Sequence, residues 1–195
     1  MRIHSHWKGL YIVVPVLLTA FLLAATPTNQ VRVRAIGANT ALFLPAVSYD
    51  SGGELATSVA VADVNGDGKP DMLVANFCAT NACPNGAVGV LLGEGDGTFQ
   101  AAIVYDSGGG AATSLAVADV NGDAKPDLLV TNFDSNTVGV LLGNGDGTFQ
   151  IAMTYVSGVS GGSNPYSVAV ADVNGDGKAD LVVANYESVD YLSKQ

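Results

Sequence analysis

Along most of the chain, short runs of β-branched and apolar residues alternate with clusters of Gly, Asn, Asp and Ser. Runs of this length bounded by turn-forming residues predict strands, and no stretch beyond the N-terminal segment carries a helical repeat of apolar positions. In the first unit the predicted strands are Thr57 to Ala62, Met72 to Asn76, Val88 to Leu92 and Thr98 to Tyr105. The unit recurs: Asp96 to Asp146 spans 50 residues, Asp63 to Asp119 spans 56 and Asp119 to Asp172 spans 53. The extra residues fall between Phe77 and Val88 and between Ser157 and Asn164, so insertions are confined to connections. Four antiparallel strands in a unit of about 50 residues make a propeller blade. The expected fold is therefore all-β, a β-propeller of four-stranded antiparallel blades. Ala60 and Ala62, repeated as Ala116/Ala118 and Ala169/Ala171, give the first strand small side chains suited to crowding about the axis.

Between the first and second strand of each unit lies a polar loop, at residues 63–71, 119–127 and 172–180. The first reads Asp63-Val64-Asn65-Gly66-Asp67-Gly68-Lys69-Pro70-Asp71. Oxygen-bearing side chains stand at positions 1, 3, 5 and 9: Asp63, Asn65, Asp67 and Asp71, then Asp119, Asn121, Asp123 and Asp127, then Asp172, Asn174, Asp176 and Asp180. Hard oxygens converging in a short loop point to Ca²⁺, which takes about six to eight oxygen ligands. A position-7 carbonyl (Lys69, Lys125, Lys178) and water would complete the shell. Three carboxylates within nine residues repel one another, and a cation relieves this. An Asn/Asp/Gly turn without metal is the plain alternative. Position 12 is Val74, Val130 or Val183 rather than Glu, and strands flank the loop, so it is not an EF-hand. Position 6 is Gly in two copies and Ala124 in the second, which makes the second site the weakest expected.

Composition narrows the setting. Arg2 and Lys8 precede an apolar run from Gly9 to Ala25, broken by Thr19, with small residues at its end. This is the pattern of a signal peptide (residues 1–25), or of a membrane anchor if it stays uncleaved; a linker follows at 26–41. A secreted or cell-surface location is expected. The formal charge is −10, from 18 acidic and 8 basic residues, and nine of those acids are the loop aspartates. An acidic chain without a basic patch excludes nucleic acid as a partner. Both histidines, His4 and His6, lie in the leader, so His-based triads and His-ligated zinc are excluded from the exported portion. Cys78 and Cys83 sit inside the inserted loop of the first unit; a local disulfide is expected, with free thiols the alternative.

Gly-Glu-Gly-Asp-Gly-Thr-Phe at 93–99, repeated as Gly-Asn-Gly-Asp-Gly-Thr-Phe at 143–149, reads as a hairpin turn. Phe99 and Phe149 are expected to pack between blades, and Asp96 and Asp146 to cap the turn or add a weak cation contact. Val-Ala-Val-Ala-Asp-Val-Asn-Gly-Asp-Gly-Lys-Pro-Asp together with Val-Gly-Val-Leu-Leu-Gly-x-Gly-Asp-Gly-Thr-Phe resembles the FG-GAP/VCBS repeat. It is also similar to the calcium-binding blades of the integrin α-subunit. The resemblance covers residues 42–192. It implies a β-propeller holding Ca²⁺ through Asp63, Asn65, Asp67, Lys69 and Asp71 and their counterparts in the other two loops. It further implies adhesion or ligand binding, with an extracellular protein or glycan as partner.

Phe43 to Tyr49 aligns with Phe99 to Tyr105, so the repeats open on a fourth strand; they stop after the second strand of the third loop-bearing unit, with at most a partial third. About three blades are too few for an ordinary ring of about four to eight. A fragment of a larger propeller is the preferred expectation, with self-association or an open arc as alternatives. The expected function is calcium-dependent adhesion or binding without catalysis. The competing reading is part of a secreted carbohydrate-active hydrolase or lyase, resting on Asp50, Glu54, Asp106, Asp134, Glu187 and Asp190. Two of these converging in one pocket would favour it, whereas an aromatic surface including Tyr49, Tyr105, Tyr155 or Tyr166 would favour binding.

Overall fold

The computed structural model describes residues 42–158, 164–186 and 188–193; the leader and linker lie outside these. Every strand among the described residues lies within residues 48–195. The first sheet contains β1 (Glu54–Ala62), β2 (Asp71–Cys78), β3 (Ala87–Leu91) and β4 (Ile103–Asp106). The second contains β5 (Ala112–Ala118), β6 (Asp127–Asn132), β7 (Thr137–Leu141) and β8 (Met153–Val156). The third contains β9 (Pro165–Ala171), β10 (Asp180–Asn185) and β11 (Val189–Leu192). Each sheet is an antiparallel meander in chain order, the incomplete β-propeller read from the repeat.

Burial explains the residue choice in each strand. β6 is buried at every position and β2 nearly so, which is why both read as unbroken apolar runs rather than alternating ones. The first strands β1, β5 and β9 pack side by side, and there the alternation matters. Leu115 and Val117 of β5 join the core shared with the first sheet, while Ala116 and Ala118 join the core shared with the third. Ala60 and Ala62 of β1 likewise face the second sheet, and Val168 and Val170 of β9 face back to it. Each sheet thus offers branched residues backward and alanines forward.

A register shift recurs beside Thr57 and Thr113, the bulge re-aiming these side chains across to the next sheet. Thr57 Oγ1 donates to the Ala112 carbonyl at 2.9 Å, and Thr113 Oγ1 to the Pro165 carbonyl at 3.0 Å. A buried asparagine then ties each sheet to the serine segment that leads into it, which for the second and third sheets follows the last strand of the sheet before. Asn76 Nδ2 donates to the Ser51 carbonyl (3.2 Å), Asn132 Nδ2 to that of Ser107 (3.0 Å) and Asn185 Nδ2 to that of Ser157 (3.3 Å). The serine carbonyl comes so close to Gly89 and Gly139 that a Cβ there would lie about 2 Å from it. Phe99 and Phe149 do pack between repeats: Tyr49 meets Phe99 edge-on at 5.3 Å and Tyr105 meets Phe149 at 5.6 Å.

Three expectations change. The fourth strand is shorter than Thr98 to Tyr105, because Phe99 makes only an isolated bridge to Gly93 before the chain leaves the ladder until Ile103. Phe43 to Tyr49 forms no strand, since none of the described strands pairs with it. The third repeat does have a third strand, β11, paired with β10 although its sequence departs from the pattern. The pairing puts Asp190 opposite Val183, where Gly89 and Gly139 stand opposite Val74 and Val130. Its carboxylate accepts from Asn185 Nδ2 at 2.7 Å and Ser188 Oγ at 3.0 Å, replacing the glycine with a hydrogen-bonded corner.

Candidate metal loops and an aromatic pocket

The three polar loops share one internal design. In the first, Asp63 Oδ1 accepts from the backbone N–H of Gly66 (2.7 Å) and Asp67 (3.2 Å), and Oδ2 from that of Gly68 (2.8 Å). Asn65 Oδ1 accepts from Asp67 N (3.0 Å), and Asp67 Oδ1 from Lys69 N (2.9 Å). The same bonds recur from Asp119, Asn121 and Asp123, and from Asp172, Asn174 and Asp176. Consecutive side-chain oxygens thereby fold the backbone around themselves, which needs left-handed residues at positions 4 and 6. Position 6 has φ of 80° at Gly68, 79° at Gly177 and 64° at Ala124, so the alanine does sit in the strained region.

Position 9 has a role that the spacing alone did not reveal. Asp71, Asp127 and Asp180 are fully buried at the start of a second strand. Asp71 accepts from Val64 N and Gly93 N, both at 2.8 Å, and Asp127 from Val120 N (2.9 Å) and Gly143 N (2.8 Å). Asp180 accepts from Val173 N at 3.1 Å. In the first two repeats this carboxylate staples its loop to the turn between the third and fourth strands. The sequence held no fixed spacing to signal it, since Asp71 lies 22 residues before Gly93 and Asp127 lies 16 before Gly143.

Backbone N–H groups also set the charge state. The Lys69 N–H holds the Asp67 carboxyl below its ordinary value, helped by the Lys69 ammonium 3.5 Å away. Partial desolvation raises that of Asp119, but the N–H groups of Ala124, Gly122 and Asp123 outweigh it and leave it lowered. Asp96 and Asp146 do cap their turns: the Thr98 and Thr148 hydroxyls, then their N–H groups, hold these carboxyls low.

Among the described residues, no three His, Cys, Asp or Glu side chains form a ready-made metal cluster. The donor set nevertheless fits a hard cation. A carboxylate has about four lone-pair positions and an amide oxygen two. The N–H bonds occupy three on Asp63, one on Asn65 and two on Asp71, so accepting capacity is left on each.

The other candidates disperse. Asp50 accepts from Gly52 N, Asp106 from Asn85 Nδ2 and Gly108 N, and Asp190 from Asn185 and Ser188, each in a separate local bond. Glu187 lies outside the described residues. Tyr49 and Tyr105 serve the packing between repeats. Tyr166 instead stacks edge-on with Phe133 at 6.0 Å and, with Phe77, Thr57 and Thr113, lines a pocket of about 210 Å³ at the end of the sheets remote from the polar loops. Cys78 and Cys83 are joined by a disulfide that closes the inserted loop of the first repeat.

The FG-GAP-like repeat matches residues 77–130 and 119–183, and the FG-GAP repeat matches residues 55–91. The chain belongs to the FG-GAP repeat family. The comparison with curated proteins gave no match. FG-GAP repeats form β-propeller-like domains often involved in binding or adhesion, and they are typical of extracellular or surface proteins. The three matched stretches overlap and together run from the first strand of the first sheet to the middle of β10.

Proposed function

We propose that this FG-GAP protein is an exported calcium-binding adhesion or recognition module without catalysis. The observation that carries the reading is the threefold recurrence of one oxygen-rich loop, with the same bonds at positions 1, 3 and 5 each time. Calcium would be held by Asp63, Asn65, Asp67, the Lys69 carbonyl and Asp71, and by the matching residues of the other loops. Bound there, the ion supplies positive charge between carboxylates that otherwise repel. The chain's own N–H groups shape each loop beforehand, so little reorganisation accompanies binding. The aromatic pocket of Phe77, Phe133 and Tyr166 supports a ligand-receiving surface for an extracellular protein or glycan.

Calorimetric titration of the exported chain with Ca²⁺, with thermal unfolding followed alongside, tests the reading. About three sites are expected. Extracellular modules bind with dissociation constants of about 10⁻⁴ to 10⁻³ M, so ~10 mM calcium should stabilise the fold by about 1.4 to 2.7 kcal/mol per site. Asp63→Ala should remove one site. No heat and no shift in melting at millimolar calcium would leave the loops as turns alone.

A further inference from the structure

Asparagine followed by glycine is prone to spontaneous deamidation, because a residue without a Cβ lets its backbone nitrogen reach the neighbouring carboxamide carbon. The chain has five such pairs, at Asn65, Asn85, Asn121, Asn144 and Asn174. The nucleophile is the glycine nitrogen after it has lost its proton, so an acceptor that holds this N–H suppresses the attack, and a carboxylate does so most strongly. In the three polar loops the N–H is held in this way. Gly66 N donates to Asp63 Oδ1, Gly122 N to Asp119 Oδ1 and Gly175 N to Asp172 Oδ1, each at 2.7 Å. The carboxamide oxygens of Asn65, Asn121 and Asn174 are fixed as well, by the N–H groups of Asp67, Asp123 and Asp176. After Asn85, Gly86 N donates to the Gly109 carbonyl at 2.8 Å, and Asn85 Nδ2 is bound to Asp106.

The fifth pair differs. Asn144 is exposed in the turn between β7 and β8, and Gly145 N donates no hydrogen bond among the described residues. The Asn144 side chain makes one bond, from Nδ2 to Thr148 Oγ1 at 2.9 Å, and its carboxamide oxygen is left to solvent. The turn is also tied at both ends to the polar loops. Gly143 N donates to Asp127 of the second loop at 2.8 Å, and Gly147 N to the Val64 carbonyl of the first loop at 3.1 Å.

We propose that Asn144 is a self-modification site, converted with time to aspartate and isoaspartate, and that the isoaspartate loosens the turn from both loops it holds. The Gly145 nitrogen bonds to the Asn144 Cγ and the Cγ–Nδ2 bond breaks. The Gly145 proton passes through solvent to the leaving nitrogen, which departs as ammonia and leaves a cyclic imide. One water then opens the imide at either carbonyl. Opening at the main-chain carbonyl gives isoaspartate, whose backbone runs through the former side chain and is longer by one methylene. That extra atom falls between Gly143 and Gly147, the two residues whose N–H groups reach the loops. The aspartate product is the harmless one, since the first repeat carries Glu94 at this position, its carboxylate accepting from Gln100 at 2.8 Å. The inference rests on the fold and not on calcium.

The test is peptide mapping by mass spectrometry of the full-length chain, aged in warm, mildly alkaline buffer once folded and once in urea. In urea the five asparagines should react at comparable rates. In the folded chain Asn144 should lead the three loop asparagines by about 10-fold or more, the factor that one hydrogen bond to a carboxylate is worth. It should lead Asn85 as well. Another asparagine reacting first, or the same ranking in urea as in the folded chain, overturns the proposal. Thermal unfolding supplies a second reading. Asn144→Gln forms its ring far more slowly, and Glu94 shows that a longer side chain fits the turn. The aged wild type should carry isoaspartate at 144 and melt lower than the fresh protein, while the aged variant keeps its melting temperature. A wild-type chain that carries isoaspartate there and melts as before, or a variant that loses as much on ageing, overturns it equally.

Discussion

The second and third sheets are built from the same repeat and differ in completeness. Around the second sheet every station is occupied: Phe149 fills the gap behind it, Gly139 lets the Ser107 carbonyl approach, and Asp127 ties its loop to the following turn. Around the third, the groove beside Tyr155 stands open and Asp190 replaces the glycine. The cores differ accordingly. Among the described residues, the cluster between the first and second sheets contains eleven buried residues including Phe149, and the one between the second and third contains five. A repeat therefore buries its apolar face only through its neighbours, and it is stable in proportion to how many of them it has.

Removing the filling residue breaks the comparison most directly. Phe149→Ala should cost about 3 to 5 kcal/mol in urea unfolding, whereas Phe43→Ala, at an aligned but exposed aromatic, should cost nothing measurable. Equal effects would mean that Phe149 is not the residue that distinguishes the two gaps. Next is the glycine station. Gly139→Ala drives a Cβ into the Ser107 carbonyl and should destabilise by about 1 to 3 kcal/mol, while Asp190→Ala in the third sheet should fall at or below the low end of that range. If both were mild, the close approach would be easily relaxed.

The loops differ less, and the expected effects are smaller. Gly68→Ala should lose about 1 kcal/mol and Ala124→Gly should gain about as much, because both positions hold positive φ. A Cβ at Gly68 meets nothing within 4 Å, so backbone strain alone is read by that change in melting temperature. Acid gives the most gradual effect. Asp67, Asp96, Asp119 and Asp146 have folded pKa values below the ordinary 3.8. Their contribution is full above that value and is lost as pH falls through the lowered folded values. The melting temperature should hold down to about pH 5 and drop below about pH 4. A drop beginning near neutrality would implicate other groups.

Much of this was legible beforehand. Strand positions followed from apolar runs bounded by turn residues, and the blade from the spacing of Asp63, Asp119 and Asp172. The loop oxygens were also readable, since positions 1, 3 and 5 interact with groups only a few residues away. Where the reading failed, the cause was a pairing partner, present or absent, that the residue pattern does not encode. Phe43 to Tyr49 carries a strand's pattern but has no strand beside it. Val189 to Leu192 lacks the pattern and yet pairs, because β10 offers it an edge and Asp190 finds Asn185 and Ser188.

The sequence by itself determined the all-β repeat, the three loops and the residues facing forward and backward, because these depend on local periodicity and short-range hydrogen bonds. Only the tertiary structure decided that Asp71 and Asp127 staple loop to turn, that Asn76, Asn132 and Asn185 hold the serine segments leading into their sheets, and that one of two equivalent gaps stands open. Each of those depends on groups some 16 to 28 residues or a whole repeat apart, whose meeting is set by how sheets stack and not by the run of residues in any one of them.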